Sequence, residues 1–365
     1  MEIKKLAICI IGFGNAGKEF CRMLAEKKEE IKNTYNCNVI VTAISTRSKG
    51  SLFDPSGVDI KRALQEIEAE GKFSQKNLQR VDSTAIEMIK KSGADVLIEL
   101  STLSIKDGQP AISHIEEAFR NDMHVITANK GPIAWDYRRL KAMADKKELS
   151  LLHETTVMDG APIFNLVEKT LPGCKVLSFK GILNSTTNFI MEEMEVGSDY
   201  ETALLEAQRL GFAEADPSLD IDGWDAAAKT AALINVLMDG NATPMTIDRT
   251  GIGDITLKDI EEAKVKGGKI KLFCEGFRDE DSVKGRVYPA FVDNKDIFSN
   301  VDSTTSMLSI TTDLMAEICM VERNPEIQQT AYGIYSDLLT LIRDIGGTSG
   351  DIGDGSFCPV NDTGI

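Results

Sequence analysis

Hydrophobic positions in the first half of the chain come in short unbroken runs. LAICII (6–11), VIVTAIS (39–45), ADVLIELS (94–101), MHVITANK (123–130) and ELSLLHET (148–155) are apolar at consecutive rather than alternate positions. That pattern marks strands buried on both faces of a parallel sheet. Between them the spacing becomes helical, as in KEFCRMLAEKKEE and AISHIEEAFRN. Strands alternating with helices predict an α/β fold with a doubly wound parallel sheet and right-handed crossovers.

After about residue 155 the rhythm changes. KVLSFKGIL reads as a strand, YETALLEAQRLG as a helix and WDAAAKTAALINVLMDG as a long Ala-rich helix. IKLFCEGF, VKGRVYPAF and SMLSITTDLMAEICMV form a β-rich run with hairpin spacing, and residues 325–346 close as an amphipathic helix. The tail 348–365 is rich in Gly, Ser and Asp and is expected to be mobile.

The first strand runs straight into Gly12-Phe13-Gly14-Asn15-Ala16-Gly17, with a helix opening on it. This is the context a dinucleotide-binding turn requires. Gly12 permits the tight turn, Gly14 lets a pyrophosphate approach the backbone, and Gly17 lets helix and strand pack closely. The second strand ends not in an acid but in Ser45-Thr46-Arg47-Ser48-Lys49. Arg47 and Lys49 suit a 2′-phosphate, which favours NADP over NAD; that both are solvated loop charges stands as the alternative. Ser101 and Asn129-Lys130 fall at the C-terminal ends of strands, the edge where open α/β sheets bind ligands.

Length and charge narrow the field. At 365 residues with 42% hydrophobic content, the chain has material for about two domains with substantial cores. A net charge of −16 argues against a nucleic-acid partner, and no apolar run reaches the length needed to span a membrane. Seven cysteines without a CxxC pair, several in apolar runs, read as buried free thiols of a reducing cytoplasm. Three histidines offer little for a His-based zinc site or triad.

Residues 213–229, AEADPSLDIDGWDAAAK, crowd five carboxylates (Glu214, Asp216, Asp220, Asp222, Asp225) against one lysine, Lys229. Ser218-x-Asp220-x-Asp222-Gly223 resembles the start of a calcium loop, but the bidentate Glu required at its twelfth position falls on Lys229, which excludes calcium. On a helix starting near Gly223, Asp225 and Lys229 are one turn apart. Either they form a surface ion pair, or Asp225 holds and polarises Lys229 in a cleft while other acids receive a ligand's ammonium group.

Taken together, GFGNAG, HVITANKGPIA, ETTVMDGAPIFNLV, KGILNSTTNFIM and LGFAEADPSLDIDGWDAAAK resemble homoserine dehydrogenase in its short form, without a fused aspartokinase or regulatory C-terminal domain. The resemblance implies reversible NAD(P)H-dependent reduction of L-aspartate 4-semialdehyde to L-homoserine, in threonine and methionine biosynthesis. It implies Lys229 and Lys130 as catalytic lysines and Asp225 as the orienting acid. Glu214 would bind the α-amino group, with Gly211, Ser185 and Thr186 lining the same pocket. Ser101 stands where the family has Thr beside the nicotinamide. Glu154, Val157, Asp159 and Ala161 match a monovalent-cation site, such as one for Na+. The architecture implied is a Rossmann-type nucleotide-binding domain (1–150 and 322–365) plus an α+β substrate and dimerisation domain (151–321), in a homodimer or higher homo-oligomer. One departure stands out: where the family has a Gly-rich turn before the last helix, this chain has Val321-Glu-Arg-Asn-Pro-Glu-Ile-Gln-Gln. The competing readings are a paralogue acting on another small oxo or hydroxy acid, and a non-catalytic nucleotide sensor. The complete set Lys130, Glu214, Asp225 and Lys229 counts against the sensor.

Overall fold

The computed structural model describes residues 3–104, 106–280 and 282–346; the tail expected to be mobile, and Cys358 within it, lie outside them. The first sheet comprises β1 (Lys4–Ile11), β2 (Cys37–Ser45), β3 (Ser51–Phe53), β4 (Arg80–Val81), β5 (Val96–Glu99), β6 (His124–Thr127) and β7 (Leu151–Leu152). Their order is β4-β3-β2-β1-β5-β6-β7. The five strands from β2 to β7 by way of β1, β5 and β6 are parallel, while β3 and β4 add an antiparallel edge.

Alternate residues of β1 explain the unbroken apolar run. Leu6, Ile8 and Ile10 pack with Phe20 and Leu24 of the Asn15–Tyr35 helix and with Ile334, Leu338 and Leu341 of the final helix, Ile327–Gly346. Ala7, Cys9 and Ile11 face the other way, toward Ile112, Ile115 and Phe119 of the Ala111–Arg120 helix and Ile133 and Leu140 of the Lys130–Asp145 helix. A strand covered on both faces has no polar side to show.

Each of the five apolar runs yields a strand, but the last is cut to Leu151–Leu152. Glu154 sends its N–H to the Asp337 carboxylate (3.0 Å) instead of to a strand neighbour, and Glu154–Thr156 coil into a 3-10 turn. The edge strands β3 and β4 are too short to carry a readable period.

The second sheet comprises β8 (Val176–Ile182), β9 (Asp248–Arg249), β10 (Gly268–Asp279), β11 (Ser282–Asp293), β12 (Ser306–Thr312) and β13 (Ala316–Glu322). Their order is β13-β12-β8-β10-β11-β9. The Ala-rich helix Trp224–Leu237 is buried along nearly its whole length. It settles onto the sheet where Gly276 and Gly285 pair across β10 and β11. A Cβ at Gly285 would stand 2.6 Å from Ile234 Cδ1, so the two glycines clear a groove for the helix.

Cys9, Cys21, Cys37 and Cys274 are free and buried, as expected; Cys174 is half-buried and Cys319 exposed. Among the described residues no helix is long and apolar enough to cross a membrane.

Candidate active site

The glycine turn sits at the C-terminal edge of the first sheet. Gly12 has φ +100°, and a Cβ there would stand 2.2 Å from the Leu100 carbonyl oxygen, so no other residue fits. A Cβ at Gly17 would stand 3.0 Å from Gly12 O, whereas one at Gly14 would meet nothing within 4 Å. No protein atom requires glycine at 14, and the open space leaves the backbone free for a ligand. Gly14 caps the following helix without a side-chain hydrogen bond, so no capping side chain claims the first-turn N–H groups. Phe13 is buried against Phe73. Lys49 Nζ reaches across to donate to Phe13 O at 3.0 Å, which brings the β2–β3 loop beside the turn, while Arg47 is exposed. Ser101 Oγ is buried without a hydrogen-bond partner among the described residues. A buried hydroxyl without a partner just after β5 has hydrogen-bonding capacity left for a ligand.

Lys130 opens its helix directly after β6, with Asn129 as N-cap. Asp225 and Lys229 lie in the first turns of the Trp224–Leu237 helix, which begins after Gly223 in the left-handed region. The three converge. Lys130 Nζ is 3.0 Å from Asp225 Oδ1, and Lys229 Nζ is 3.4 Å from Oδ2. All three side chains are mostly buried, at 17–19% exposure, which excludes the bland surface ion pair worth only tenths of a kcal/mol. Lys229 also donates to Leu183 O at 2.5 Å. Burial alone would raise the Asp225 pKa, but the charges of Lys130 and Lys229 override it and hold the carboxyl far below its ordinary range. Burial likewise pushes Lys229 down, and Asp225, with Asp159 behind it, more than reverses this and leaves it raised.

Asn184 binds this cluster to the acidic loop. Its Nδ2 donates to Asp220 Oδ1 (2.7 Å) and Asp225 Oδ2 (3.1 Å), while its Oδ1 accepts the Thr187 N–H and caps the Ser185–Glu195 helix. Burial, and then the nearby Asp225 charge, raise the Asp220 pKa. Thr186 is buried with its hydroxyl on Phe212 O (2.8 Å), and Ser185 Oγ lies 3.4 Å from Thr304 O. Gly211, at φ +80°, ends the Tyr200–Arg209 helix on the surface. Glu214 is exposed, and among the described residues no ion pair links it to the lysines; its backbone carbonyl accepts from Gln208. The acid that reaches the cluster beside Asp225 is therefore Asp220 rather than Glu214.

The crossover segment lies at the junction of the two sheets. The Glu154 carboxylate accepts the Phe164 and Asn165 N–H groups (2.7 and 3.0 Å) and the Asn165 side chain, so its oxygens are already occupied. A cation beside Val157, Asp159 and Ala161 would be held by backbone carbonyls. Asp159 Oδ1 instead accepts from Thr330 Oγ1 at 2.6 Å, fastening the entry of the final helix. Glu322, in the segment lacking the Gly-rich turn, has an Oε2 without a hydrogen-bond partner among the described residues; burial and then Asp159 push its carboxyl up to about 7. No group of three or more His, Cys, Asp or Glu side chains placed to hold a metal occurs among the described residues.

Sequence alone does not mark Asn184, Asp220 or Glu322 as site residues. Asn184 carried a usable signal, an Asn between a strand and a helix, which is an N-cap pattern.

The chain is similar to known proteins over most of its length. The family model described as homoserine dehydrogenase matches residues 162–339. A homoserine dehydrogenase of Methanocaldococcus jannaschii is 39% identical over 335 residues, covering 92% of this chain and 98% of that protein. An NAD(+)-dependent homoserine dehydrogenase of Pseudomonas canavaninivorans is 30% identical, over 92% of this chain and 95% of its own. Among solved structures, a putative homoserine dehydrogenase from Archaeoglobus fulgidus superposes with a TM-score of 0.82 at 32% identity, covering 92% of this chain and 99% of that one.

Proposed function

The chain belongs to the homoserine dehydrogenase family, NAD(P)-dependent oxidoreductases interconverting L-homoserine and L-aspartate 4-semialdehyde, and from that premise we propose how its residues divide the work. Lys229 and Lys130 are the catalytic lysines and Asp225 the acid that aims them. Reduction of an aldehyde builds negative charge on its oxygen, and a positioned ammonium stabilises that charge and then delivers a proton. The observation carrying this reading is one carboxylate holding both lysines, on separate oxygens, in a largely buried cleft.

Asp220 and Glu214 take the substrate's α-ammonium group, Asp220 from the cleft wall and Glu214 from the exposed loop beside it. Gly211, Ser185 and Thr186 complete that wall. Gly12 through Gly17 cradle the cofactor's pyrophosphate, and Ser101 borders its nicotinamide, which supplies the hydride when bound. Arg47 and Lys49 hold a 2′-phosphate, so NADP is preferred to NAD. The NAD(+)-dependent Pseudomonas relative speaks for the opposite preference. The exposed Arg47, on the loop that Lys49 ties to Phe13 O, supports NADP in this chain. The carbonyls of Glu154, Val157, Asp159 and Ala161 form a site for a monovalent cation such as Na+. Residues 1–150 and 322–365 act as the nucleotide-binding domain and 151–321 as the substrate and dimerisation domain of a cytoplasmic homodimer serving threonine and methionine biosynthesis.

The test is spectrophotometric: homoserine is offered with NADP and with NAD in turn, and reduced nicotinamide is followed by its near-ultraviolet absorbance. Turnover with homoserine, faster with NADP, is expected. No turnover with either cofactor defeats the reading, and a clear advantage for NAD defeats the assigned preference.

A further inference from the structure

Glu99 ends β5 with its side chain wholly buried, an expensive place for an acid unless its oxygens are occupied. Oε1 accepts the Ser101 N–H at 3.2 Å and lies 3.1 Å from His114 Nδ1, which is itself buried. Thr127 pairs with Glu99 across β5 and β6, and its Oγ1 lies 3.2 Å from Glu99 O and 3.5 Å from Oε2. The same Oγ1 accepts the Asn129 N–H at 3.0 Å. Asn129 then donates from Nδ2 to Ser101 O (3.0 Å) and accepts the Gly131 N–H on Oδ1 (3.0 Å). The bonds close a ring through Glu99, Ser101, Asn129 and Thr127.

We propose that Glu99, backed by His114, is a positioning residue that keeps Ser101 and Lys130 in one register. The loop leaving β5 carries Ser101 and the loop leaving β6 carries Lys130. The ring is the polar joint between them, and it ends on the first turn of the helix that aims Lys130 at Asp225. Reaction rate is steep in such geometry, since a misplacement of about 1 Å can cost about a hundredfold. Glu99 touches neither lysine and acts through Asn129. The inference rests on the reading of Ser101 and Lys130 as site residues given above.

Glu99→Gln keeps the shape and replaces one carboxyl oxygen with an amide NH2. Turnover should fall about tenfold while the KM for homoserine and the cofactor Kd stay within about threefold. A double-mutant cycle with Lys130→Ala separates positioning from mere stability. If Glu99 works through Lys130, the Gln variant costs little more once the lysine is gone. Equal losses in both backgrounds, or wild-type turnover in Glu99→Gln, overturn the inference. Full activity in Lys130→Ala would instead overturn the reading of the site, and this inference with it. Should Glu99→Gln fail to fold, Thr127→Val removes the joint's hydroxyl at nearly constant shape, and unchanged turnover in that variant is equally fatal.

Discussion

Lys130 Nζ lies 3.0 Å from Asp225 Oδ1, an ion pair joining the helix after β6 to the helix laid on the second sheet. The other oxygen of that carboxylate faces Lys229 at 3.4 Å. One anion thus holds two ammonium groups that would otherwise repel each other, and it is the leading charge that raises the Lys229 pKa against burial. The cleft between the sheets exists as a chemical unit because of Asp225.

Asp225→Asn tests this through pH. Burial works to lower the Lys229 pKa, and Asp225 is the leading charge that instead lifts it above 10.5. Without that charge the Lys229 pKa falls. Homoserine oxidation needs a neutral lysine as base and reduction needs a charged one as acid. The alkaline rise of oxidation should therefore move to lower pH in the variant, and the reduction plateau should end earlier. Profiles of kcat in both directions check this, and inflections at the wild-type pH contradict it. Stability has the opposite dependence: with its folded pKa held below 3.8, Asp225 stabilises the protein fully above that value, and its contribution is lost as pH falls through the depressed one.

Lys229→Ala should lower kcat by roughly 10²- to 10⁴-fold, the usual worth of a positioned acid or base. Cofactor affinity, measured by nicotinamide fluorescence, should hardly move, because the glycine turn lies in the other sheet's edge. Turnover within a few-fold of wild type rules out the role.

How much of this was legible beforehand depends on where each signal lives. The strand runs and the Ala-rich helix were readable because periodicity is local, and Asp225 and Lys229 share one helix turn. Lys130 could be placed at a sheet edge, but its pairing with Asp225 is a contact between two layers that no spacing rule encodes. In the sequence Asp220 is one of five crowded carboxylates with nothing to set it apart; only packing shows that Asn184 draws it inward and leaves Glu214 outside. Glu154 reads from sequence only as part of a cation site, and packing adds that its carboxylate accepts the Phe164 and Asn165 N–H groups.

Those two acids make a paired prediction. Asp220→Asn should raise the KM for homoserine about tenfold or more, since a charge-assisted hydrogen bond is worth about 1.5–3 kcal/mol. Glu214→Gln should raise it too, and by less than Asp220→Asn if the exposed loop stays open when substrate binds. Cofactor KM should be steady in both variants. If neither substitution shifts the homoserine KM, the ammonium is bound elsewhere.

Arg47→Ala addresses the cofactor. Arg47 is exposed, on the loop that Lys49 pins to the glycine turn through Phe13 O at 3.0 Å. Lys49 has part of its donor capacity committed to that carbonyl, so the freer fork for a 2′-phosphate is the guanidinium. Its loss removes a charge-assisted contact of about 1.5–3 kcal/mol, which is about ten- to a hundredfold in NADP KM. NAD carries a hydroxyl at that position, so its KM should barely change, and the ratio of the two specificity constants should collapse toward unity. Steady-state kinetics with both cofactors measures the ratio directly. An equal rise in both KM values would mean that Arg47 supports the loop rather than reads the phosphate, and the assigned preference would lose its physical basis.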